Sequence, residues 1–180
     1  SAGNQGADAW HYISAPADGD SVLAVGAVDR YENYAFFSST GKSFDGDIKP
    51  NVSAQGEQTV IARTEMGYFA ASGTSFSGPL VAGLSACYWQ AFPHLKNWEL
   101  KNQIEQNASW YNSPDSLLGF GLPNYMKMYM KAKPSDGYTY GQSFLISLRN
   151  NPFTNEVGIE LYSAIAQEVR FVLLDVNGKT

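Results

Sequence analysis

The feature that most constrains this chain is the segment Gly-Thr-Ser-Phe-Ser-Gly-Pro at residues 73–79, which runs directly into a small, apolar stretch at 80–86. Apolar periodicity after a Ser/Thr/Gly cluster predicts a helix start, and Pro79 is tolerated in a first helical turn because its missing N–H is not needed there. The Ser75 hydroxyl is therefore expected at a helix N-terminus. Backbone N–H groups gathered there favour developing negative charge, which suits a nucleophile attacking a carbonyl. An ordinary helix cap is the alternative interpretation.

The composition indicates a globular chain with an acidic balance. Of its 180 residues 44% are hydrophobic, enough for a sizeable core. The net charge of −5, with few and scattered Lys and Arg, argues against a nucleic-acid partner. No apolar run reaches the roughly 18 residues that predict a membrane-spanning helix. The one cysteine, Cys87, lies in the apolar helical run and is predicted to be a small buried side chain.

Strand patterns precede the serine segment. The near-continuous apolar run at 21–28 indicates a strand buried on both faces of a parallel or mixed sheet. Residues 34–41 fit a short strand that ends in a turn, and 59–62 with 67–70 form a predicted strand pair leading to the serine segment.

Helices are predicted after the serine segment. The first is expected to run from Pro79 to about Phe92, and a second to begin with Asn97 as its N-cap. A third is expected over 124–131, with its methionines as core filler. The first helix carries small residues that would let another backbone pack closely: Gly78, Ala82, Gly83 and Ala86. The second carries an apolar stripe formed by Leu100 and Ile104.

The composition changes after residue 133. Residues 134–141 are predicted to be a linker, and 142–180 show apolar residues with a period of two. Three antiparallel strands are the simplest account, with apolar positions 144–148, 157–161 and 169–173 and turns at 151–153 and 175–179. Three short strands bury little, so we expect only part of an antiparallel β-sandwich here.

Several segments, in one order, resemble landmarks of the subtilisin-like serine proteases. Residues 73–83 are similar to the active-serine motif of that family, and Ser-Ala-Gly-Asn-Gln-Gly at 1–6 resembles the segment that holds its oxyanion-hole asparagine. The turn at 37–41 and the motif at 49–56 follow, with Gln55 where the family usually has Pro, and Gly-Phe-Gly-Leu-Pro-Asn at 119–124 matches the closing element. The resemblance implies that residues 1–133 are the C-terminal portion of an α/β, three-layer catalytic domain with a parallel sheet.

The resemblance also implies roles for individual residues. Ser75 would be the nucleophile, and Asn4 would donate a side-chain N–H to the tetrahedral oxyanion together with the backbone N–H of Ser75. Thr74 would buttress the oxyanion site. One wall of the pocket for the residue before the cleaved bond would be formed by Ser1, Ala2 and Gly3.

The family's triad is incomplete in this sequence. Its Asp and His precede the oxyanion asparagine in chain order, and neither motif is present here. His11 and His94 lack the His-Gly-Thr context and are interpreted as surface or structural residues. A serine without a base is a poor nucleophile, so we expect the chain alone to be inactive and to need an N-terminal part of the same, longer protein.

The tail carries a second resemblance. Residues 145–179 look like the start of the C-terminal sorting domain of type IX secretion cargo, with an unrelated accessory β-domain as the alternative. The sorting interpretation implies that the parent protein is secreted or held at the cell surface.

The expected partner is a peptide or protein substrate, and the chemistry requires no cofactor. Asp45 and Asp47 flank Gly46 in a manner that suits a structural calcium ion, although two loop carboxylates are usually only solvated and no ligand set follows from the sequence. Two other functional classes stay open. One is a pseudoprotease or binding module, and the other is a secreted adhesion fragment in which the β-tail binds a surface or glycan.

Overall fold

The structure, a computed structural model, describes residues 1–41, 43–64 and 66–132, together with the backbone of two tail strands at 144–149 and 158–163. Contacts along the chain define two compact units, Ser1–Lys133 and Pro134–Thr180. All of the predicted site residues belong to the first unit.

A pair of parallel strands forms the centre of the first unit. Strand β1 (Val25–Val28) pairs with β2 (Val52–Gln55), and Val25 lies opposite Val52. Every residue of β1 is buried, as its apolar run predicts for a strand covered on both faces. The strand is shorter than the predicted 21–28, because the chain at Val22 is still at the surface, with 38% of that residue exposed.

A hairpin leads from the sheet to the serine segment. Strands β3 (Thr59–Ala62) and β4 (Tyr68–Ala71) pair antiparallel, which confirms the predicted strand pair. The strand predicted at 34–41 is wrong. That segment makes only isolated bridges, and the Ser38 hydroxyl accepts the Ala27 N–H at 3.0 Å, so side chains rather than a ladder satisfy the neighbouring backbone.

The long helix α1 (Thr74–Ala91) begins earlier than predicted. It starts at Thr74, so Pro79 lies in the second turn instead of the first. The cause is a distant acceptor: the Thr74 N–H donates to Asn4 Oδ1 at 2.9 Å, and this contact satisfies an orphan donor at the start of the helix. Pro79 lacks an N–H for the Ser75 carbonyl but does not end the helix.

Two shorter helices close the core. In α2 (Asn97–Gln106), Asn97 is the first helical residue and Lys96 is the cap, which corrects the predicted N-cap. In α3 (Tyr125–Ala132), Asn124 accepts the Lys127 N–H at 2.8 Å. The main core cluster consists of buried residues from β1, β2, the three helices and the residues just after α1 and α2: Val25, Val52, Val81, Tyr88, Phe92, Leu100, Ile104, Ala108 and Met128. The predicted burial of Leu100 and Ile104 is therefore confirmed, whereas Met130 is 52% exposed and is not core filler.

One side of α1, which we call its outward face, is uncovered in the part of the chain that the structure describes. The face consists of Leu80, Gly83, Leu84 and Cys87, spaced three and four residues apart. Leu80 and Leu84 are 45% and 50% exposed, and a Cβ added to Gly83 would meet nothing within 4 Å. The predicted burial of Cys87 is wrong, because it lies on this face and is exposed. Ala82 and Ala86 are exposed too. Of the predicted small-residue face, Gly78 has a backbone neighbour, because an added Cβ would lie 3.7 Å from the Ser1 nitrogen, whereas one on Gly83 would meet nothing.

The second unit contains one described hairpin. Strand β5 (Phe144–Arg149) pairs antiparallel with β6 (Gly158–Ser163), and Phe144 lies opposite Ser163. Two of the three predicted tail strands are therefore confirmed. The third, at 169–173, the linker at 134–141 and both predicted turns lie outside the described residues, and a β-sandwich stays a prediction. Among the described helices, none is long and apolar enough to cross a membrane.

Candidate active site

The site is built around the contact between Asn4 and the start of α1. The Asn4 Oδ1 atom accepts two hydrogen bonds from Thr74, one from its backbone N–H and one from its hydroxyl, both at 2.9 Å. Thr74 Oγ1 in turn accepts the Gly3 N–H at 3.2 Å. Since Oδ1 is occupied by two donors, the Asn4 side-chain N–H₂ group is left as the donor that the residue can offer to a ligand.

Ser75 is the second residue of α1 and is exposed, whereas Thr74 and Ser77 on either side of it are buried. Its backbone N–H lies in the first helical turn, where the helix itself provides no acceptor. Ser77 cannot act in its place, because its hydroxyl is fully buried and donates to the Thr74 carbonyl at 2.9 Å. The motif therefore presents one of its two serines to solvent.

The serine segment at 73–79 is held by a hydrogen bond to the end of one of the parallel strands. The Gly73 N–H donates to the carbonyl of Gly56, the residue after β2, at 2.7 Å. A Cβ on Gly56 would lie 2.7 Å from Ala27 Cβ and 2.9 Å from the Gly73 carbonyl oxygen. This close approach places the start of α1 at the carboxyl edge of β1 and β2, which is where open α/β sheets bind their ligands.

The first three residues lie beside this helix start but present different groups. Ser1 is exposed and, with Ser75, lines an open cavity of about 1,040 Å³ along α1 and α2. The Ala2 side chain is buried in a small cluster with Ile13, Ala17 and Ala24, and the Ala2 N–H donates to Val25 at 2.8 Å. Only the backbone of Ala2 could therefore face a substrate, whereas Gly3 is half-buried.

The two histidines are placed as loop residues. His11 packs against the Tyr12 ring at 4.1 Å between centroids, and His94 is exposed beyond the end of α1. Neither lines the cavity beside Ser75. The described residues thus bring Asn4 to the start of the helix that carries Ser75, without a histidine beside them.

Three exposed carboxylates meet near the predicted Asp45–Asp47 pair. Asp20, which the sequence did not single out, joins Asp45 and Asp47, and one ligand oxygen from each lies within 4.8 Å of the others. A hydrogen bond and the charge of Asp45 raise the pKa of Asp20. A hydrogen bond from the Ser43 hydroxyl lowers the pKa of Asp45. Exposed acidic groups often meet without an ion, and structural calcium stays a prediction.

A buried lysine supports the loop that carries Asp20. The Lys49 ammonium is fully buried and donates to the carbonyls of Gly19 at 2.7 Å and Val22 at 3.1 Å. Burial lowers its pKa. Asn51 continues the network by donating to Glu105 at 2.9 Å. In sequence, 49–56 is a family landmark that does not reveal this function of Lys49, because the partners are backbone carbonyls without a sequence signature.

Comparisons with known proteins show which family the first unit of the chain resembles. The Subtilase family model, Peptidase S8, matches residues 1–121. A thermostable alkaline protease of Halalkalibacterium halodurans is 36% identical over 121 residues, covering 67% of this chain and 31% of that protein. Subtilisin DY of Bacillus licheniformis is 36% identical over 125 residues, covering 68% of this chain and 43% of that protein.

Solved structures show the same fold. The CspB protease of Clostridium perfringens matches with a TM-score of 0.59 and 26% identity, covering 64% of this chain and 27% of that one. The self-cleaved protease domain of PatA matches with a TM-score of 0.59 and 26% identity, covering 76% and 49%. The shared α/β fold, together with the family match over residues 1–121, defines the class of this chain as subtilisin-like.

The chain belongs to the subtilase family. It spans between 31% and 43% of the length of the two curated relatives named above.

Proposed function

We propose that this chain is the C-terminal part of the catalytic domain of an exported subtilisin-like serine endopeptidase. Ser75 attacks the carbonyl carbon of the scissile peptide bond and forms an acyl-enzyme, which water then hydrolyses. The observation that carries the proposal is the double hydrogen bond from Thr74 to Asn4 Oδ1, which turns the side-chain N–H₂ group of Asn4 into the available donor.

Asn4 and the Ser75 backbone N–H form the oxyanion site in this mechanism. The tetrahedral intermediate places negative charge on the former carbonyl oxygen, and the two donors stabilise that charge. Thr74 holds the Asn4 amide in this orientation before substrate arrives. Loss of one such donor lowers kcat by about 10²–10³-fold, a magnitude known from the asparagine of subtilisin itself.

The base comes from outside the described residues. Ser75 needs a histidine to take its proton, and an aspartate must orient that histidine. The chain covers less than half of its curated relatives, and the family's His and Asp motifs are absent from its sequence. We therefore assign both groups to an N-terminal part of a longer protein, so the 180-residue chain alone does not hydrolyse peptides.

Substrate contact and export complete the proposal. Ser1 and the Gly3 backbone form one wall of the pocket for the residue before the cleaved bond, and the backbone of Ala2 joins them.

The β5–β6 hairpin supports a β-rich tail, which we assign to sorting during export. Deletion of 134–180 from the parent protein should leave its catalysis intact and retain the enzyme inside the cell. Normal export of that deletion variant would refute the sorting assignment.

Labelling with a fluorophosphonate probe tests the catalytic proposal. The full-length protein should label, Ser75→Ala should abolish labelling, and Ser113→Ala, at an exposed serine in a distant loop, should leave it unchanged. The isolated 180-residue chain should not label, because it lacks a base.

Two results would overturn the proposal. Failure of the full-length protein to label or cleave a casein substrate would favour the pseudoprotease. Strong labelling of the isolated chain at Ser75 would show that the 180-residue chain supplies its own base.

A further inference from the structure

Ser39, in the turn at 37–41, directs its N–H and its hydroxyl at the residues on either side of Asn4. Its N–H donates to the Gly3 carbonyl at 2.9 Å. Its hydroxyl oxygen accepts the Gln5 N–H at 3.0 Å, and the same hydroxyl donates to Gln5 Oε1 at 3.2 Å. Ser39 is fully buried, so water cannot replace these bonds without a structural change.

Asn4 is thus held from two directions. Thr74 binds its side-chain oxygen from the helix, and Ser39 fixes the backbone before and after it. The fit at this point is tight. A Cβ added to Gly3 would lie 2.8 Å from Ser39 Oγ, and the Gly3 φ of 107° is one that L side chains rarely adopt.

We propose that Ser39 is a positioning residue that sets where the Asn4 side chain delivers its N–H to the substrate. The inference rests on the proposed function, in which Asn4 is an oxyanion donor. A donor stabilises the transition state only when it is held at the right place beforehand, and small displacements of such groups are costly.

The neighbouring Ser38 provides a matched control. It is also fully buried, and its hydroxyl also accepts a backbone N–H at 3.0 Å, but the donor is Ala27 in β1. Ser38→Ala and Ser39→Ala therefore remove the same atom from the same turn at equal burial. A general loss of stability would appear in both variants, whereas a loss of Asn4 positioning would appear in Ser39→Ala alone.

Kinetics of the full-length protein test this inference through a double-mutant cycle with Asn4→Ala. Ser39→Ala should lower kcat for a peptide anilide by about 10- to 100-fold with little change in KM, and Ser38→Ala should leave kcat within about twofold. In the Asn4→Ala background, Ser39→Ala should have no further effect on kcat, because the group it positions is gone. An equal further loss in that background would overturn the inference.

Hydrogen exchange gives a readout that does not depend on activity. In Ser39→Ala the Gln5 N–H loses its acceptor, so its exchange should accelerate by more than about tenfold relative to the wild type and to Ser38→Ala. Unchanged exchange at Gln5 would refute the proposed positioning by Ser39 even in an active enzyme. If the full-length protein proves inactive, the proposed function fails by itself, and exchange at Gln5 alone decides whether Ser39 holds this segment.

Discussion

The Asn4 corner and the outward face of α1 lie on the same helix but differ in how completely their groups are paired or covered. In the corner, formed by Gly3, Asn4, Ser39 and Thr74, nearly every inward-facing polar group has a partner, and Ser39 and Thr74 are at most 1% exposed. On the outward face, Leu80 and Leu84 remain about half exposed, and Gly83 faces open space.

The difference teaches which half of the active site this chain supplies. The hydrogen bonds that hold this corner need no additional residues, because the Asn4 Oδ1 atom, the Gly3 backbone and the Ser39 hydroxyl are already paired and only the Asn4 N–H₂ group is left for a ligand. A stripe of leucine and small residues along a helix gains free energy only when another apolar surface covers it. We therefore expect this chain to supply the oxyanion side of the proposed site, and the outward face to pack against the upstream part that carries the base.

The largest expected effect comes from Gly6→Ala, next to the corner. A Cβ at Gly6 would overlap the Ser38 carbonyl oxygen and lie 2.7 Å from that of Phe36. We expect the full-length protein to lose about 3 kcal/mol of unfolding free energy, the upper range for overpacking, because both obstacles are backbone atoms. Denaturant unfolding measures the loss.

Gly19→Ala is the control for this substitution. A Cβ at Gly19 would be 3.6 Å from the Pro16 carbonyl oxygen, an ordinary contact, so its effect should stay below about 1 kcal/mol. Equal unfolding free energies for the two variants would contradict the tightly packed corner.

The same comparison separates what the sequence could predict from what it could not. The buried β1, the β3–β4 hairpin and the Leu100–Ile104 stripe follow from local periodicity, which sequence carries directly. The start of α1 does not, because its first N–H is satisfied by Asn4, 70 residues away. The exposure of Cys87 could not be predicted either. Apolar periodicity indicates that a helix face will be buried, but it does not indicate whether residues of the same chain cover that face.

The site was predictable only through family resemblance. Residues 73–79 by themselves fit an ordinary cap as well as a nucleophile, and the roles of Ser75 and Asn4 remain proposals. Ser39 belongs to a turn that the sequence analysis recognised as a landmark, but its partners Gly3 and Gln5 become visible only when the two segments are brought together. A hydrogen bond to a backbone group does not depend on the side chain of that residue, so it leaves no pattern in the sequence.

Leu84→Glu tests whether the outward face is covered in the longer protein. A carboxylate buried against an apolar partner without a counter-ion is costly, so the full-length protein should lose about 2 kcal/mol of unfolding free energy. Val60→Glu, at a 66% exposed position of β3, is the control and should change the unfolding free energy by less than about 0.5 kcal/mol. If both variants unfold at the same denaturant concentration, the face is open to solvent in the parent protein too.

The smallest expected effect is that of Asp20→Asn, which tests the carboxylate cluster at the loop before β1. The hydrogen bond and charge of Asp45 raise the pKa of Asp20, so its contribution to stability is present at acid pH and is lost as pH rises through its folded-state pKa. At pH 7 both carboxylates are ionised and repel each other, and Asn removes that repulsion. The variant should therefore melt slightly higher than the wild type at pH 7, and the gain should be lost as pH falls through the folded-state pKa of Asp20 and should shrink in 1 M salt. Asp8→Asn, at an exposed carboxylate outside the cluster, is the control and should show no such pH-dependent gain. A lower melting temperature for Asp20→Asn at pH 7 would contradict the prediction, because it would mean that the three carboxylates together stabilise the loop.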